Sequence, residues 1–123
     1  MDATGPLWVI CLCAEWCNVC RDWRATFEQA ALDHPDARFA WVDVEDEDEA
    51  MGDVDIETFP TVLLARGQSP LFLGPVQPSG AQLNRLVASL MQPATNDADR
   101  AMSVSGQAGP LLARLHAAVL PKP

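Results

Sequence analysis

Apolar residues near the N-terminus change from a continuous run to a helical spacing. Residues 7–13 (Leu-Trp-Val-Ile-Cys-Leu-Cys) are all apolar and mostly bulky or branched, which is typical of a parallel strand buried on both faces. After a short connection, apolar side chains recur at the positions that form one face of a helix. These positions are Cys20, Trp23, Phe27, Ala30 and Ala31. The pattern predicts a central strand and then a helix that begins at Cys17 and ends at 33–36.

Strand and helix patterns continue to alternate as far as residue 91. Three further runs are strand-like: 38–44, 61–66 and 71–73. The last two flank Gly67-Gln68-Ser69-Pro70, which predicts an antiparallel hairpin. Residues 45–53 begin with acids, as a short helix favours at its N-terminus. Ser79 is a suitable N-cap for a further helix, whose apolar face is formed by Leu83, Leu86, Val87 and Leu90.

The composition changes after Met91 and suggests a boundary. Small and polar residues dominate up to Gly109, which indicates a mobile connection. Pro110 then opens a segment in which four apolar residues share one helical face: Leu111, Leu112, Leu115 and Val119. We therefore predict a domain at 1–91 and a C-terminal extension at 92–123 with one amphipathic helix. We expect this helix to dock on the core, and the alternative is a partner-binding helix.

Charge and length narrow the range of partners. The chain has 123 residues, enough for one core, and its 8 basic against 17 acidic side chains give a net charge of -9. Such a surface repels phosphate backbones and anionic lipid, so neither nucleic acid nor a membrane is an expected partner. The longest apolar run, 7–14, is far shorter than the roughly 20 residues of a membrane-spanning helix, and no basic segment precedes it. We expect a soluble protein in the cytoplasm.

All four cysteines lie within residues 11–20, which indicates chemistry or metal binding because a stabilising framework would spread them along the chain. Cys17 and Cys20 stand one helical turn apart, directly after Trp16. A helix that begins at Cys17 places its sulfur at the positive end of the helix dipole, while Cys20 lies one turn deeper. The first thiol can then attack a disulfide and the second can resolve the product.

Two motifs and the element order resemble the thioredoxin superfamily over about residues 7–91. The first is Glu15-Trp16-Cys17 with Cys20, between strand and helix. The second is Thr58-Phe59-Pro60-Thr61 before the hairpin, with Gly74 after its second strand. The resemblance implies a three-layer α/β fold, with a central mixed sheet of about four strands flanked by helices. Only six residues precede the first core strand, so we expect a minimal form of the fold that lacks the family's N-terminal strand and helix.

The resemblance also implies a function and a site. It implies an enzyme without a cofactor that exchanges the Cys17/Cys20 dithiol with disulfides of protein substrates. A reductase or a low-molecular-weight thiol would serve as electron donor. It further implies a cis-proline at Pro60, main-chain pairing of substrate with Phe59, and an apolar wall from Trp16. For Pro60 the alternative is an ordinary strand-starting proline, and for Trp16 a half-buried packing residue.

The chain departs from the family pattern beside the dithiol. Asn18-Val19 replaces the usual Gly-Pro, so the family's redox potential does not transfer. Cys11 occupies the place of a buried aspartate that helps to move the resolving thiol's proton, and Trp41 that of its basic companion. Proton transfer would then need water or another group such as Glu15.

The two strand cysteines and the overall function leave alternatives open. Cys11 and Cys13 should point to the same side of their strand. We expect both to be inert core residues, and the alternative is a second thiol pair beneath the first. For the whole protein the alternative is a non-enzymatic binding or redox-sensing module. Zinc or copper(I) binding by the four cysteines is less favoured, because a strand carrying two of them cannot easily surround an ion together with a helix start.

Two surface features carry further expectations. The strand 38–44 lacks its usual neighbour, so we expect residues 93–123 or a second subunit to cover its exposed edge. The acidic run 45–49, continued by Asp53, Asp55 and Glu57, is most simply a solvated surface. As a functional feature, it would favour basic protein substrates over acidic ones.

Overall fold

The computed structural model describes residues 7–14, 17–52, 54, 56, 60–66, 69–77, 79–91, 106–118 and 120. Within them the chain forms strands and helices in alternation. In chain order these are β1 (Leu7–Cys13), α1 (Asn18–Asp33), β2 (Arg38–Asp43), α2 (Asp48–Met51), β3 (Thr61–Arg66), β4 (Ser69–Pro75), α3 (Gly80–Met91) and α4 (Ala108–Ala118). None of the described helices combines the length and apolar character needed to cross a bilayer.

The strands form one mixed sheet in the order β2-β1-β3-β4. β1 runs parallel to β2, with Cys13 opposite Asp43, and antiparallel to β3, with Leu12 opposite Thr61. β3 and β4 form the predicted antiparallel hairpin. Every residue of β1 is buried, as its continuous apolar sequence predicted, because it has a strand on each side and helices on both faces. The predicted α/β fold, a mixed four-stranded sheet flanked by helices, is confirmed.

Alternation along β1 divides the core into two layers. The odd-numbered residues of β1 pack with α1 and α3, in a cluster that contains Leu7, Val9, Cys11, Cys13, Cys20, Trp23, Phe27, Ala30, Val62, Leu64, Leu71, Leu83, Val87 and Leu90. The even-numbered residues pack with α2 and α4, in a cluster that contains Trp8, Ile10, Leu12, Val42, Ala50, Met51, Leu63, Ala65, Ala108, Leu111, Leu112, Leu115 and Leu120. Both faces of the sheet are therefore covered.

Local hydrogen bonds and one proline explain where the helices α2, α3 and α4 begin. The prediction placed a helix at 45–53, but α2 is shorter because the carboxylate of Asp43 accepts the amides of Glu45 (2.9 Å) and Asp46 (3.1 Å) and holds these residues in turns. Ser79 caps α3 as predicted, since its hydroxyl accepts the amide of Gln82 at 3.4 Å. Pro110 lies in the first turn of α4, where a missing amide hydrogen costs little.

The C-terminal helix docks on the core, as predicted for its apolar stripe. Leu111, Leu112 and Leu115 are fully buried against the even-numbered face of the sheet, while Val119 lies outside the described residues. The helix thus covers a face of the sheet and not the edge of β2. Among the described strands, β2 pairs with β1 alone. Cover of that edge by another part of 93–123 or by a second subunit stays a prediction.

Candidate active site at the start of helix α1

Cys17 is the N-cap residue of α1, so the helix begins at Asn18, one position after the predicted start. Its backbone is extended (φ -81°, ψ 121°), its amide donates to the carbonyl of Ala14 at 3.0 Å, and its carbonyl accepts the amide of Arg21 at 3.1 Å. Its side chain makes no capping hydrogen bond and is half-buried. The first turn of α1 carries no acidic residue, so the positive end of the helix dipole is not neutralised there. A free thiol thus stands at a position that favours negative charge.

Cys20 lies one turn into α1, and its sulfur forms a disulfide with Cys13. Both residues are 0% exposed, and their Cα atoms are 5.9 Å apart, within the usual range for this bond. The sequence analysis predicted Cys17 as the partner of Cys20 and Cys13 as an inert core residue, so this pairing was not foreseen. The physical reason is that Cys13 is the last odd-numbered residue of β1, which places it on the α1 face where that helix begins.

Cys11 is a free thiol in the interior, as predicted for a core residue. Burial raises its pKa from 9.0 to about 12, and the neighbouring Trp23 side chain acts in the opposite direction. The buried Nε1 of Trp23 has no hydrogen-bond partner of ordinary geometry among the described residues, so its contact with this sulfur is weak. Cys11 therefore lacks the ionised form that reacts with disulfides at neutral pH.

A cleft of about 460 Å³ opens beside Cys20, where α1 meets the C-terminal ends of β1 and β2. It is lined by Ala14, Cys20, Arg21, Arg24, Trp41, Val42, Asp43, Asp46 and Glu47. The guanidinium of Arg24 lies 5.0 Å from the ring centroid of Trp41 and forms one wall. Charged side chains of both signs therefore line the cleft beside the buried Cys20.

Asp43 is a residue of this site that the sequence analysis did not single out. It is the parallel partner of Cys13, so both side chains belong to the same face of the sheet. Odd numbering on two neighbouring parallel strands was the signal that could have identified it. A carboxylate thus lies beside Cys13 on the next strand, whereas the partner of Cys11, at the place of the family's buried acid, is Trp41.

Pro60 lies at the same end of the sheet as the cysteines. It is buried, and its carbonyl accepts the amide of Val76 at 3.0 Å. Extending the antiparallel register of β1 and β3 by one residue places it opposite Cys13. Trp16 and Phe59 lie outside the described residues, as does Glu15. The roles of these residues in substrate binding and proton transfer stay predictions, and so does the cis form of Pro60.

The described residues bear on metal binding and on the acidic run 45–49. No group of three or more His, Cys, Asp or Glu in that part of the chain is arranged to hold a metal ion. In the form described, Cys13 and Cys20 are joined to each other and so present no thiolates. Of the acidic run, Asp46 and Glu47 line the cleft beside Cys20. Asp53, Asp55 and Glu57 lie outside the described residues.

Solved thioredoxins share this architecture. Thioredoxin from Fasciola hepatica superposes with a TM-score of 0.63 at 24% identity, over 72% of this chain and 84% of that one. Thioredoxin from Trypanosoma brucei brucei gives a TM-score of 0.62 at 22% identity, over 72% of this chain and 78% of that one. At these identities the likeness establishes the fold.

Sequence comparison gives the family. The putative thioredoxin 2 of Streptomyces coelicolor is 36% identical over 62 residues, which are 50% of this chain and 46% of that protein. The match thus spans about half the length of this curated relative. The thioredoxin family model matches residues 2–90. On this match, and on a fold with a cysteine pair at the start of α1, the chain belongs to the thioredoxin family.

Proposed function

We propose that this protein is an enzyme that exchanges a Cys17/Cys20 dithiol with the disulfides of protein substrates. Membership of the thioredoxin family and a buried disulfide at the start of α1 support a thiol-disulfide oxidoreductase in general. The observation that carries the specific assignment is the contrast between two neighbouring sulfurs. Cys17 is a partly exposed free thiol at a helix N-terminus, whereas Cys20 is fully buried one turn deeper. The first suits a nucleophile and the second a resolving group.

The reaction begins with all thiols reduced. The Cys17 thiolate attacks one sulfur of the substrate disulfide, which forms a mixed disulfide and releases the other substrate sulfur as a thiolate that takes up a proton. The Cys20 thiolate then attacks the Cys17 sulfur and releases the second substrate thiolate. Two electrons and two protons pass to the substrate, and the protein gains one disulfide. A reductase or a low-molecular-weight thiol restores the dithiol.

Substrate would bind across the end of the sheet where the cysteines lie. Pro60 stands opposite Cys13 by register, so an extended peptide paired with the backbone of Phe59 would pass close to Cys17. Trp16 would supply an apolar wall. The acidic side chains of Asp46 and Glu47 at the cleft favour substrates with basic surfaces. A cytoplasmic location stays a prediction.

A disulfide-reduction assay with dithiothreitol as donor tests the assignment. The wild type should accelerate the reduction of a protein disulfide, and Cys17→Ser should abolish the acceleration because it removes the attacking thiol. Cys20→Ser should accumulate a mixed disulfide between Cys17 and the substrate, visible as a mass increase that a reductant reverses. Activity that survives Cys17→Ser would overturn the mechanism.

A redox-sensing binding module is the second candidate, and one observation favours it. In the form described, Cys20 is bound to Cys13, so Cys17 has no resolving partner. A sensor of this kind would form and lose the Cys13–Cys20 bond without turning over substrate. Absence of acceleration by the wild type, together with reversible formation of that bond, would decide for this candidate.

A further inference from the structure

We infer that Cys13 is a third redox-active cysteine, which takes the disulfide over from Cys17 by exchange at Cys20. This inference deepens the proposed function and rests on it, because it concerns what happens to the Cys17–Cys20 disulfide that the reaction produces. Cys20 would then have two alternative partners, one on each side. Cys17, the outer partner, reacts with substrate. Cys13, the inner partner, holds the disulfide with Cys20 in the core.

The start of α1 places both partners within reach of Cys20. Cys17 is the N-cap and Cys20 the third helical residue, and side chains at these two positions approach each other at helix starts. On the other side, Cys13 is directly bonded to Cys20. Cys17 also packs against the same cluster that contains both of these residues. Cys20 thus has one cysteine bonded to it from the strand and another three residues earlier at the start of its own helix.

The exchange balances without an oxidant or a reductant. Cys13 loses its proton as its sulfur attacks the Cys20 sulfur, so that the Cys13–Cys20 bond forms and the Cys17–Cys20 bond breaks. Cys17 leaves as a thiolate. The proton lost by Cys13 would pass to a base in the cleft beside Cys20, where Asp43, the strand neighbour of Cys13, is one of the lining residues. The number of free thiols stays the same throughout.

Burial favours the Cys13–Cys20 disulfide over the Cys17–Cys20 disulfide. An ionised thiol is costly in the apolar interior, whereas a disulfide carries no charge. Cys13 and Cys20 are both 0% exposed, while Cys17 is half-buried. The isomer with Cys13 and Cys20 bonded therefore keeps the ionisable thiol at the half-buried Cys17, outside the core. In that isomer Cys17 can form a mixed disulfide with a further substrate, but Cys20 cannot resolve it. Oxidation would therefore convert the enzyme from a form that turns over substrate to a form that only binds it covalently.

Cys11 offers a matched control on the same strand. It lies two residues before Cys13 on the same face, which displaces it by roughly 6–7 Å along β1. Its neighbour on α1 is Trp23, one turn beyond Cys20. It is a free thiol in the same cluster, so it shares the burial of Cys13 but not its contact with Cys20. Cys11→Ala should leave the pairing of the other three cysteines unchanged.

Proteolysis can distinguish the two isomers, because Glu15 is the only acidic residue between Cys11 and Cys20. The wild type is oxidised with one equivalent of diamide, quenched in acid, denatured, alkylated with N-ethylmaleimide and cleaved after glutamate. A Cys13–Cys20 bond joins the two resulting peptides, whereas a Cys17–Cys20 bond lies within one of them. Mass spectrometry before and after reduction identifies the joined pair, and the maleimide labels identify the free thiols.

We expect the oxidised wild type at equilibrium to contain mainly joined peptides, with the labels on Cys11 and Cys17. Cys17→Ser and Cys11→Ala should give the same joined pair. Cys13→Ala should give unjoined peptides with a Cys17–Cys20 disulfide. A wild type that ends mainly with Cys17 and Cys20 bonded, or a Cys13→Ala protein that forms no disulfide at Cys20, would overturn the inference.

The reduction assay run in parallel separates this inference from the proposed function. A wild type that reduces substrate but keeps the Cys17–Cys20 bond would refute the exchange to Cys13 and leave the proposed function standing. A wild type that shows both pairings but does not reduce substrate would refute the proposed function and leave the exchange standing. Alanine at position 13 keeps a small apolar side chain in the core, and the wild-type measurement remains decisive even if that variant does not fold.

Discussion

Cys11 is a titratable group held without charge in the core, so it contributes to the dependence of stability on alkaline pH. Its pKa is raised by burial from 9.0 to about 12, so its contribution to stability is complete below pH 9 and is lost as the pH rises through 12. The chain has no tyrosine, which removes the side chain that usually titrates in this range. We expect the free energy of unfolding of the reduced protein to fall between pH 9 and 12, and less steeply in Cys11→Ala. Urea unfolding at a series of pH values in a phosphine reductant measures the free energy of unfolding of both proteins. Equal slopes of this free energy against pH in the wild type and in Cys11→Ala would contradict the assignment.

Residue-level prediction from the sequence succeeded for burial but did not identify the Cys13–Cys20 bond. Alternation along β1 was enough to place Cys11 and Cys13 on one side of the strand, and the helical spacing was enough to bury Cys20 and Trp23. Neither pattern predicts how far α1 is displaced along β1. This displacement decides whether Cys11 or Cys13 lies opposite Cys20. That shift is a property of the packed layers, so the Cys13–Cys20 bond was visible only in the structure.

At the element scale, α2 depends on a side chain from the C-terminal extension. α2 has only 4 residues, too few to be stable alone, and Arg114 of α4 donates from Nε to the carbonyl of Ala50 (2.6 Å) and from a terminal nitrogen to that of Met51 (3.1 Å). These carbonyls belong to the last turn of α2, where a cation is favourable. No local pattern predicts a cap supplied from residues so distant in the chain.

Arg114→Ala should therefore lower the free energy of unfolding by about 2 kcal/mol, since it removes two charge-assisted hydrogen bonds to half-buried carbonyls. Arg85→Ala is the matched control, because Arg85 is exposed on α3 and its loss should change stability by less than about 0.5 kcal/mol. Urea unfolding followed by circular dichroism measures both. Equal effects of the two substitutions would show that the contact of Arg114 with α2 does not contribute to stability.

At the scale of the whole molecule, a net charge of -9 should act on substrate choice. Four of the described acids at 45–49 are exposed, and Asp46 and Glu47 border the cleft beside Cys20. We expect reduction of a basic protein disulfide to slow as salt rises from about 0.05 to about 0.5 M, because screening removes the attraction. Reduction of an acidic one should accelerate. The double substitution Asp46→Asn and Glu47→Gln should weaken the slowing of the reaction by salt for the basic substrate. Identical salt responses of the two substrates would contradict a substrate preference based on charge.

The docking of α4 predicts that the extension and the sheet unfold together. Leu112 is fully buried between α4 and the even-numbered face of the sheet, where Trp8 also contacts His116 with ring centroids 5.3 Å apart. Leu112→Ala should lower the free energy of unfolding of the whole protein by about 2–5 kcal/mol, because it leaves a cavity in a shared core. Leu32→Ala on α1 is the matched control, since that leucine is 75% exposed and should cost less than about 0.5 kcal/mol. Tryptophan fluorescence and circular dichroism should report one coincident transition at a lower urea midpoint. An early loss of helix signal with an unchanged fluorescence midpoint would instead make α4 an independent appendage of the thioredoxin domain.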